Sequence, residues 1–325
     1  MLILSRTEVE SLLDLDRLVE ALAVAMVDLS RRRASAPPRV AASVADRHAM
    51  LAAMPAFLPA SGALTTKLVT LFPENTDRPT HQAIICCFDP ASGAPLAVVD
   101  GTYVTAARTA AGSMLATRLL AREGARVVSV IGTGVQAHSH ARAAARLPGV
   151  EVVQIAGRDH TRARALVDAL AESGTAATVL PSIEDAVRSA DVVCAATHAD
   201  EPVVRREWLR PGTHVTSVGY NTAGDGEVDI PTLRDALVVV ESRSAALAAP
   251  PAGAVELARA IEAGAIDADH MQEIGEIAAG ERVGRTDSGQ LTLYKSVGVA
   301  VQDAAAAALI LEAAHARGVG TEVDV

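Results

Sequence analysis

The sequence predicts an α/β chain in two parts: an α+β half followed by a half built on a doubly wound parallel sheet. Three observations carry this. From Arg126 onward short apolar runs alternate with helical patterns, as strands joined by crossover helices do. The first of these units, Val127 to His140, reads VVSVIGTGVQAHSH: a buried strand, a glycine turn, and a helix opening at Val135 or Gln136. Before Arg126, turn signals at Pro59-Ala60-Ser61-Gly62, Pro73-Glu74-Asn75 and Asp89-Pro90-Ala91-Ser92-Gly93 separate strand-like runs, which predicts an antiparallel sheet.

At 325 residues the chain is long enough for two domains with full cores. We expect 1–118, completed by a C-terminal helix over 300–325, to form one domain and 119–299 the other. Ser5-Arg6-Thr7-Glu8 has the capping-box pattern, and apolar residues then recur at helical spacing from Leu12 to Leu29. The run closes on Arg31-Arg32-Arg33, which suits a helix C-terminus. Pro37-Pro38 forces an extended segment carrying Arg39. Strands are expected at Met50–Ala53, Ala63–Leu71, His81–Phe88 and Pro95–Val99. Tyr103 to Glu123 reads as a long Ala-rich helix holding one charge, Arg108, among alanines that leave a guanidinium room to reach a ligand or to snorkel outward.

The glycine turn has the form G-x-G-x-x-A at Gly132, Gly134 and Ala137. Gly132 permits the tight turn, Gly134 lets the backbone approach a pyrophosphate, and Ala137 lets the helix pack closely on its strand. The helix N-terminus supplies free N–H groups to the phosphates. A strand before, a helix after and a second strand at βαβ distance make this a dinucleotide site of Rossmann type. Further strands are expected at Val152–Ala156, Ala177–Leu180, Val192–Ala196, His214–Val218 and Leu237–Val240. The second of these strands ends in Gly157-Arg158-Asp159. Arg158 suits a 2′-phosphate and favours NADP(H), while Asp159 keeps NAD(H) as the alternative. A last Ala-rich helix, Val297 to Arg317, should pack back on the first domain. His138 and His140 have no partner at ligand spacing and read as helix-surface groups, so no metal is expected.

Composition sets the limits. A net charge of −10 argues against a nucleic-acid partner. No run approaches a membrane span, and the N-terminus lacks the pattern of a signal peptide. Cys86, Cys87 and Cys194 make no disulfide framework. These features describe a soluble, cytoplasmic protein. One count is sharper: of 29 basic residues only Lys67 and Lys295 are lysines. Each therefore suggests a place where a compact ammonium of movable pKa is wanted.

Several segments together resemble the ornithine cyclodeaminase/mu-crystallin family across nearly the whole chain. They are Ala63-Leu64-Thr65-Thr66-Lys67-Leu68-Val69-Thr70, Pro79-Thr80-His81-Gln82-Ala83, Asp100-Gly101 through Ala111, the turn Gly132 to Ala137, and Tyr294-Lys295-Ser296-Val297-Gly298. The resemblance implies a Rossmann domain joined to a substrate domain that makes a homodimer through its sheet. It also implies that Arg39, Lys67 and Arg108 surround a substrate carboxylate. The cofactor set expected is Gly132, Thr133, Gly134, Val135, Gln136, Arg158, Thr109, Thr197 and Lys295, of which the resemblance implies the turn and a place for Lys295 near the cofactor. Two positions depart from the cyclodeaminases, which are thought to move protons with an Asp and a Glu. Asn221 and Ala52 stand there instead, and neither is a general base near neutral pH. With Lys67 and Asn221 at the reacting centre, the chain looks closest to the ketimine reductases. The expectation is an NAD(P)H-dependent reductase of a small cyclic ketimine carboxylate. A cyclodeaminase or amino-acid dehydrogenase, or a non-catalytic ligand-binding protein, are the alternatives.

Overall fold

A computed structural model of the chain describes residues 1–172, 174–219, 224–249 and 252–325. They divide into two compact units, 1–108 with 298–325, and 109–297. The first unit opens with β1 (Leu2–Leu4), α1 (Arg6–Leu12), α2 (Leu15–Ser30), β2 (Val40–Val44), β3 (Ala49–Leu58), β4 (Ala63–Leu71), β5 (His81–Phe88) and β6 (Pro95–Asp100). The division falls within α3 (Gly101–Leu120). The second unit begins β7 (Val127–Ile131), α4 (Val135–Ala144), β8 (Val152–Ala156), α5 (His160–Glu172), β9 (Ala177–Val179) and α6 (Ile183–Ser189). It continues through β10 (Val192–Ala195), β11 (His214–Ser217), α7 (Ile230–Asp235), β12 (Ala236–Val240), α8 (Arg243–Ala246) and α9 (Val255–Glu262). After β13 (Gln272–Glu273), α10 (Ile274–Ala278) and β14 (Leu291–Lys295), the chain returns to the first unit with α11 (Ala300–Arg317) and β15 (Thr321–Glu322).

In the first unit the described strands form one sheet ordered β15-β1-β6-β5-β4-β3-β2. All neighbours are antiparallel except β1 and β6. The capping box is present, with the Glu8 carboxylate accepting from the Ser5 N–H at 2.8 Å and its hydroxyl at 2.6 Å. The single helical run expected after it is two helices, because Asp14 accepts from the N–H groups of Asp16 and Arg17 and so caps a fresh start. β3 continues well past Ala53, through Pro55. The N–H of Phe57, two residues on, reaches Ser35, so the missing N–H of Pro55 faces the same side, where β2 has ended at Val40 opposite Ala53. The proline therefore costs no ladder bond. Leu18, Leu22 and Met26 of α2 are fully buried, each contributing about 1.5–3 kcal/mol. α2 and α11 pack together, and α11 lies against β3 and β4. The opposite face of the sheet leaves Val40, Leu51, Ile84 and Leu96 exposed.

The second unit is a doubly wound α/β layer, as expected. Its described strands run β13-β12-β14-β11-β10-β7-β8-β9, and every pair is parallel. The order reverses between β7 and β10, which is the switch point where ligands bind in such sheets. β14, not expected as a strand, is inserted between β11 and β12. Its five residues are all buried, so it carries no alternation to mark it. His140 is a correction: it is buried, not on the surface of α4. Its Nδ1 lies 2.7 Å from the Gln136 carbonyl and its Nε2 2.9 Å from Ser113 Oγ. A carbonyl only accepts, so Nδ1 carries the hydrogen and Nε2 accepts from the serine. Burial pushes its pKa down to about 4, leaving a neutral core histidine. Among the described residues no helix is long and apolar enough to cross a membrane.

Candidate active site

In the first unit three cations gather on the opening turn of α11. Lys67 sits on the helix-covered face of β4, with Met54 of β3 and Ile85 of β5 as its strand neighbours. Its Nζ donates to Asp303 Oδ1 at 3.0 Å and lies 2.9 Å from Oδ2. Arg108 donates from Nη1 to Gln302 Oε1 at 2.7 Å, and its Nε is 3.3 Å from Asp303 Oδ1. Arg39 donates from Nη2 to the Gly298 carbonyl at 2.8 Å. Gln302 also accepts from the Val299 N–H at 3.2 Å, which fixes its carbonyl end against the helix start.

Gly298 is required here. Its φ is +75°, and a Cβ would lie 2.8 Å from both terminal nitrogens of Arg108. The guanidinium is seated on the glycine. Lys67 and Arg108 are 1 % and 6 % exposed, and Gln302 and Asp303 are fully buried. Two buried cations, Lys67 and Arg108, therefore share the Asp303 carboxylate, with half-buried Arg39 beside them on Gly298, and such a cationic cluster suits an anionic ligand. Burial is the largest influence on Lys67 and pulls its pKa down to about 8. Asp303 opposes this, and the Arg108 and Arg39 charges add to it. An ammonium with a pKa there is mostly protonated at neutrality yet can release its proton. Ala52 is buried on the same strand as Met54 and brings no acid. Asn221 lies outside the described residues. A separate cavity of about 740 Å³ near Arg47, Thr70 and Gln82 involves none of these side chains. Thr70 alternates to the opposite sheet face from Lys67.

The second unit fits a dinucleotide at its glycine turn. Gly132 has φ +126°, and a Cβ there would lie 2.5 Å from the Ala196 carbonyl oxygen. Its N–H donates to Ala156 O at 2.8 Å. The residue is wedged between the carboxyl ends of β8 and β10, where only glycine passes. Gly134 caps α4 with no side-chain bond to the first turn, and nothing stands within 4 Å of its Cβ position. Val135 beside it is 62 % exposed, whereas Ala137 is fully buried. An open, uncapped helix N-terminus above a closely packed turn is what a pyrophosphate needs. Thr133 packs on Gly157, where a Cβ would be 2.9 Å from its Cγ2. Arg158 is exposed just past β8. The Asp159 carboxylate accepts from the Arg162 N–H at 3.0 Å and pairs with the Arg162 side chain at 3.3 Å, so it serves α5. Thr109 is buried in α3. Thr197 directs its N–H and Oγ1 to Glu227 at 2.6 and 2.8 Å. Lys295 is buried and reaches Ser217 Oγ, the Gly219 carbonyl and Glu256. Among the described residues no cluster of three metal-ligating side chains occurs.

Asp303, Gln302, Glu227 and Glu256 were not expected from the sequence. The signal for the first two was present, since they are the only polar residues between Ala300 and Leu311. A charge stranded among alanines is the feature that singles out Arg108.

A dinucleotide turn in one unit and a buried cationic cluster in the other define a two-unit α/β protein that handles a nucleotide and a small anion. The chain belongs to the ornithine cyclodeaminase/mu-crystallin family, whose model matches residues 1–318. It is 38% identical over 278 residues to the ketimine reductase mu-crystallin of Mus musculus, covering 85% of this chain and 84% of that one. It is 34% identical over 329 residues to the Delta(1)-pyrroline-2-carboxylate reductase of Bacillus cereus, covering 100% of both. The solved structure of Thermococcus litoralis Delta(1)-pyrroline-2-carboxylate reductase, in complex with NADH and L-proline, superposes with a TM-score of 0.92. That match is 35% identical and covers 99% of this chain and 100% of the other.

Proposed function

We propose that the protein is an NAD(P)H-dependent reductase of small cyclic ketimine carboxylates, of the pyrroline-2-carboxylate or piperideine-2-carboxylate type. The observation that carries this is the cluster at the start of α11, where Lys67 and Arg108 meet Asp303 and Arg39 meets the neighbouring Gly298 carbonyl. Similarity to the ketimine and pyrroline-2-carboxylate reductases supports the same reading. Arg39 and Arg108 hold the substrate carboxylate, since guanidinium–carboxylate bonds fix position and face together. Lys67 is the acid: its Nζ gives a proton to the imine nitrogen and Asp303 orients it. A nicotinamide cofactor, when bound, would supply the hydride taken up by the imine carbon. Gly132, Gly134 and the first turn of α4 hold the pyrophosphate, with Thr133, Val135, Gln136, Thr109, Thr197 and Lys295 completing that side. Exposed Arg158, beside an Asp159 already engaged with α5, favours NADP(H) over NAD(H). The uncovered apolar sheet face supports a homodimer, and we place the protein in the cytoplasm.

The test is NADPH oxidation by the purified protein with the five- and six-membered cyclic ketimine carboxylates, beside an ammonia assay with ornithine and catalytic NAD. Ketimine-dependent oxidation without ammonia release is expected. Ornithine turnover, or ligand binding with no turnover of any imine, overturns the proposal.

A further inference from the structure

Lys295, the second of the two lysines, takes part in a buried network at the carboxyl ends of β10, β11 and β14. Its Nζ donates to Ser217 Oγ at 3.1 Å and to the Gly219 carbonyl at 2.9 Å, and lies 2.7 Å from Glu256 Oε1. Glu227, fully buried, grips the same residues from the other side. Its Oε1 accepts from the Thr197 N–H at 2.6 Å and Thr197 Oγ1 at 2.8 Å. Its Oε2 accepts from Ser217 Oγ at 2.8 Å and the Gly219 N–H at 2.6 Å. Four donors, two from Thr197 after β10 and two from the end of β11 and Gly219 just beyond it, converge on one carboxylate. Gly219 must be glycine, because a Cβ there would be 2.2 Å from Glu227 Cδ.

The network connects to the dinucleotide turn by contact. The atoms closest to a Cβ at Gly132 are the carbonyl of Ala196 and then Cγ2 of Thr197, at 2.5 and 3.5 Å. Whatever fixes Thr197 therefore fixes one wall of that turn. The side matters too. In a doubly wound sheet the dinucleotide lies across the switch point. The adenosine half falls toward β8, where Arg158 stands, and the other half toward β10 and β11.

We propose that Glu227 is a positioning residue for the nicotinamide half of the cofactor, with Lys295 and Glu256 bracing it. It ties the loop after β10 to the loop after β11, so that Thr197 and Gly219 present a preset surface. Lys295 acts from beneath that surface through Ser217 and Gly219. The inference rests on the reading that this unit binds a nicotinamide dinucleotide, and it adds which residues set the nicotinamide side.

The experiment measures dissociation constants of the full chain for NADPH and NADH, and for ADP-ribose and its 2′-phosphate, which lack the nicotinamide. Glu227→Gln keeps the shape but faces its four donors with an amide that cannot accept from all of them. It should weaken dinucleotide binding about tenfold or more, the scale for a lost bond to a charged group, and leave the ADP-ribose ligands within about twofold. Ser217→Ala removes one of the four donors and should move the same ratio less far in the same direction. If Glu227→Gln does not fold, Ser217→Ala decides on that ratio. Equal weakening of dinucleotide and fragment, or none, overturns the inference. A parent protein that binds neither dinucleotide overturns the underlying reading as well, and is recognised by that parent measurement alone.

Discussion

Replacing Gly298 by alanine tests whether the seat of Arg108 controls substrate recognition. At φ +75° the new side chain adopts a left-handed backbone and its Cβ arrives 2.8 Å from both Nη1 and Nη2. Nonbonded heavy atoms prefer about 3.5 Å, so the guanidinium must retreat by roughly 0.7 Å and loosen its 2.7 Å bond to Gln302. The backbone alone costs about 1–2 kcal/mol. A misplacement near 1 Å can cost on the order of 10²-fold in rate. We therefore expect kcat/KM for the ketimine to fall by roughly 10- to 100-fold, chiefly through KM, with the NADPH Kd unchanged. Gly62→Ala is the control: its φ is +65°, but nothing stands within 4 Å of its Cβ position. It carries the same backbone strain with no guanidinium to move. Steady-state kinetics and thermal melts of both variants make the comparison. Both should lose similar Tm, and only Gly298→Ala should lose kcat/KM. If Gly298→Ala retains parental kinetics, or Gly62→Ala loses as much, Arg108 is not the clamp.

Lys67 should set an alkaline limit. If its ammonium is the acid, kcat is full below pH about 8 and falls as pH rises through that value. Asp303→Asn removes the charge that raises the Lys67 pKa, so a pH–kcat profile should show the limb displaced to lower pH; a limb that stays put separates Asp303 from Lys67. Lys67→Met should lower kcat by about 10²-fold, the usual scale for a positioned acid, and a variant with parental kcat would assign the proton to another group. Arg158→Ala should weaken NADPH by roughly tenfold while leaving NADH nearly unchanged, because only NADPH has a 2′-phosphate to lose. Equal effects in a side-by-side titration would remove Arg158 from the site.

What could be read in the sequence is what local chemistry demands. Gly132 has to be glycine because of its own φ and one nearby carbonyl, so the turn is legible from a short string. Lys67 stands out because lysine is so scarce in this chain, and Arg108 because a charge among alanines is expensive unless something answers it. The answering group, Asp303, is harder to see. An acid in the first turn of a helix is ordinary complementarity to the helix dipole, and the sequence does not say which sheet that turn will face. β14 escaped for a different reason: its place between β11 and β12 depends on pairings with residues far away in the chain. His140 reads as a surface group because no metal-ligating partner stands at ligand spacing, yet its hydrogen bonds to Gln136 and Ser113 satisfy both nitrogens and allow burial.

Reductive and eliminative chemistry place opposite demands on this cluster. Cyclodeamination needs groups that accept protons from the substrate, and the cyclodeaminase pattern supplies carboxyl groups for that purpose. Ala52 provides none, and Asn221 is an amide. The carboxylate that does meet Lys67, Asp303, is bracketed by Lys67 at 2.9 Å and Arg108 at 3.3 Å. Its oxygens are turned to cations and not to a substrate proton. Reduction asks for the reverse: one proton delivered to nitrogen while a carboxylate is held still. A lysine with a pKa near 8, flanked by two guanidinium groups, meets that demand. A lysine acid beside a carboxylate clamp, with Asp303 already committed to Lys67 and Arg108, therefore points the proposed chemistry toward imine reduction.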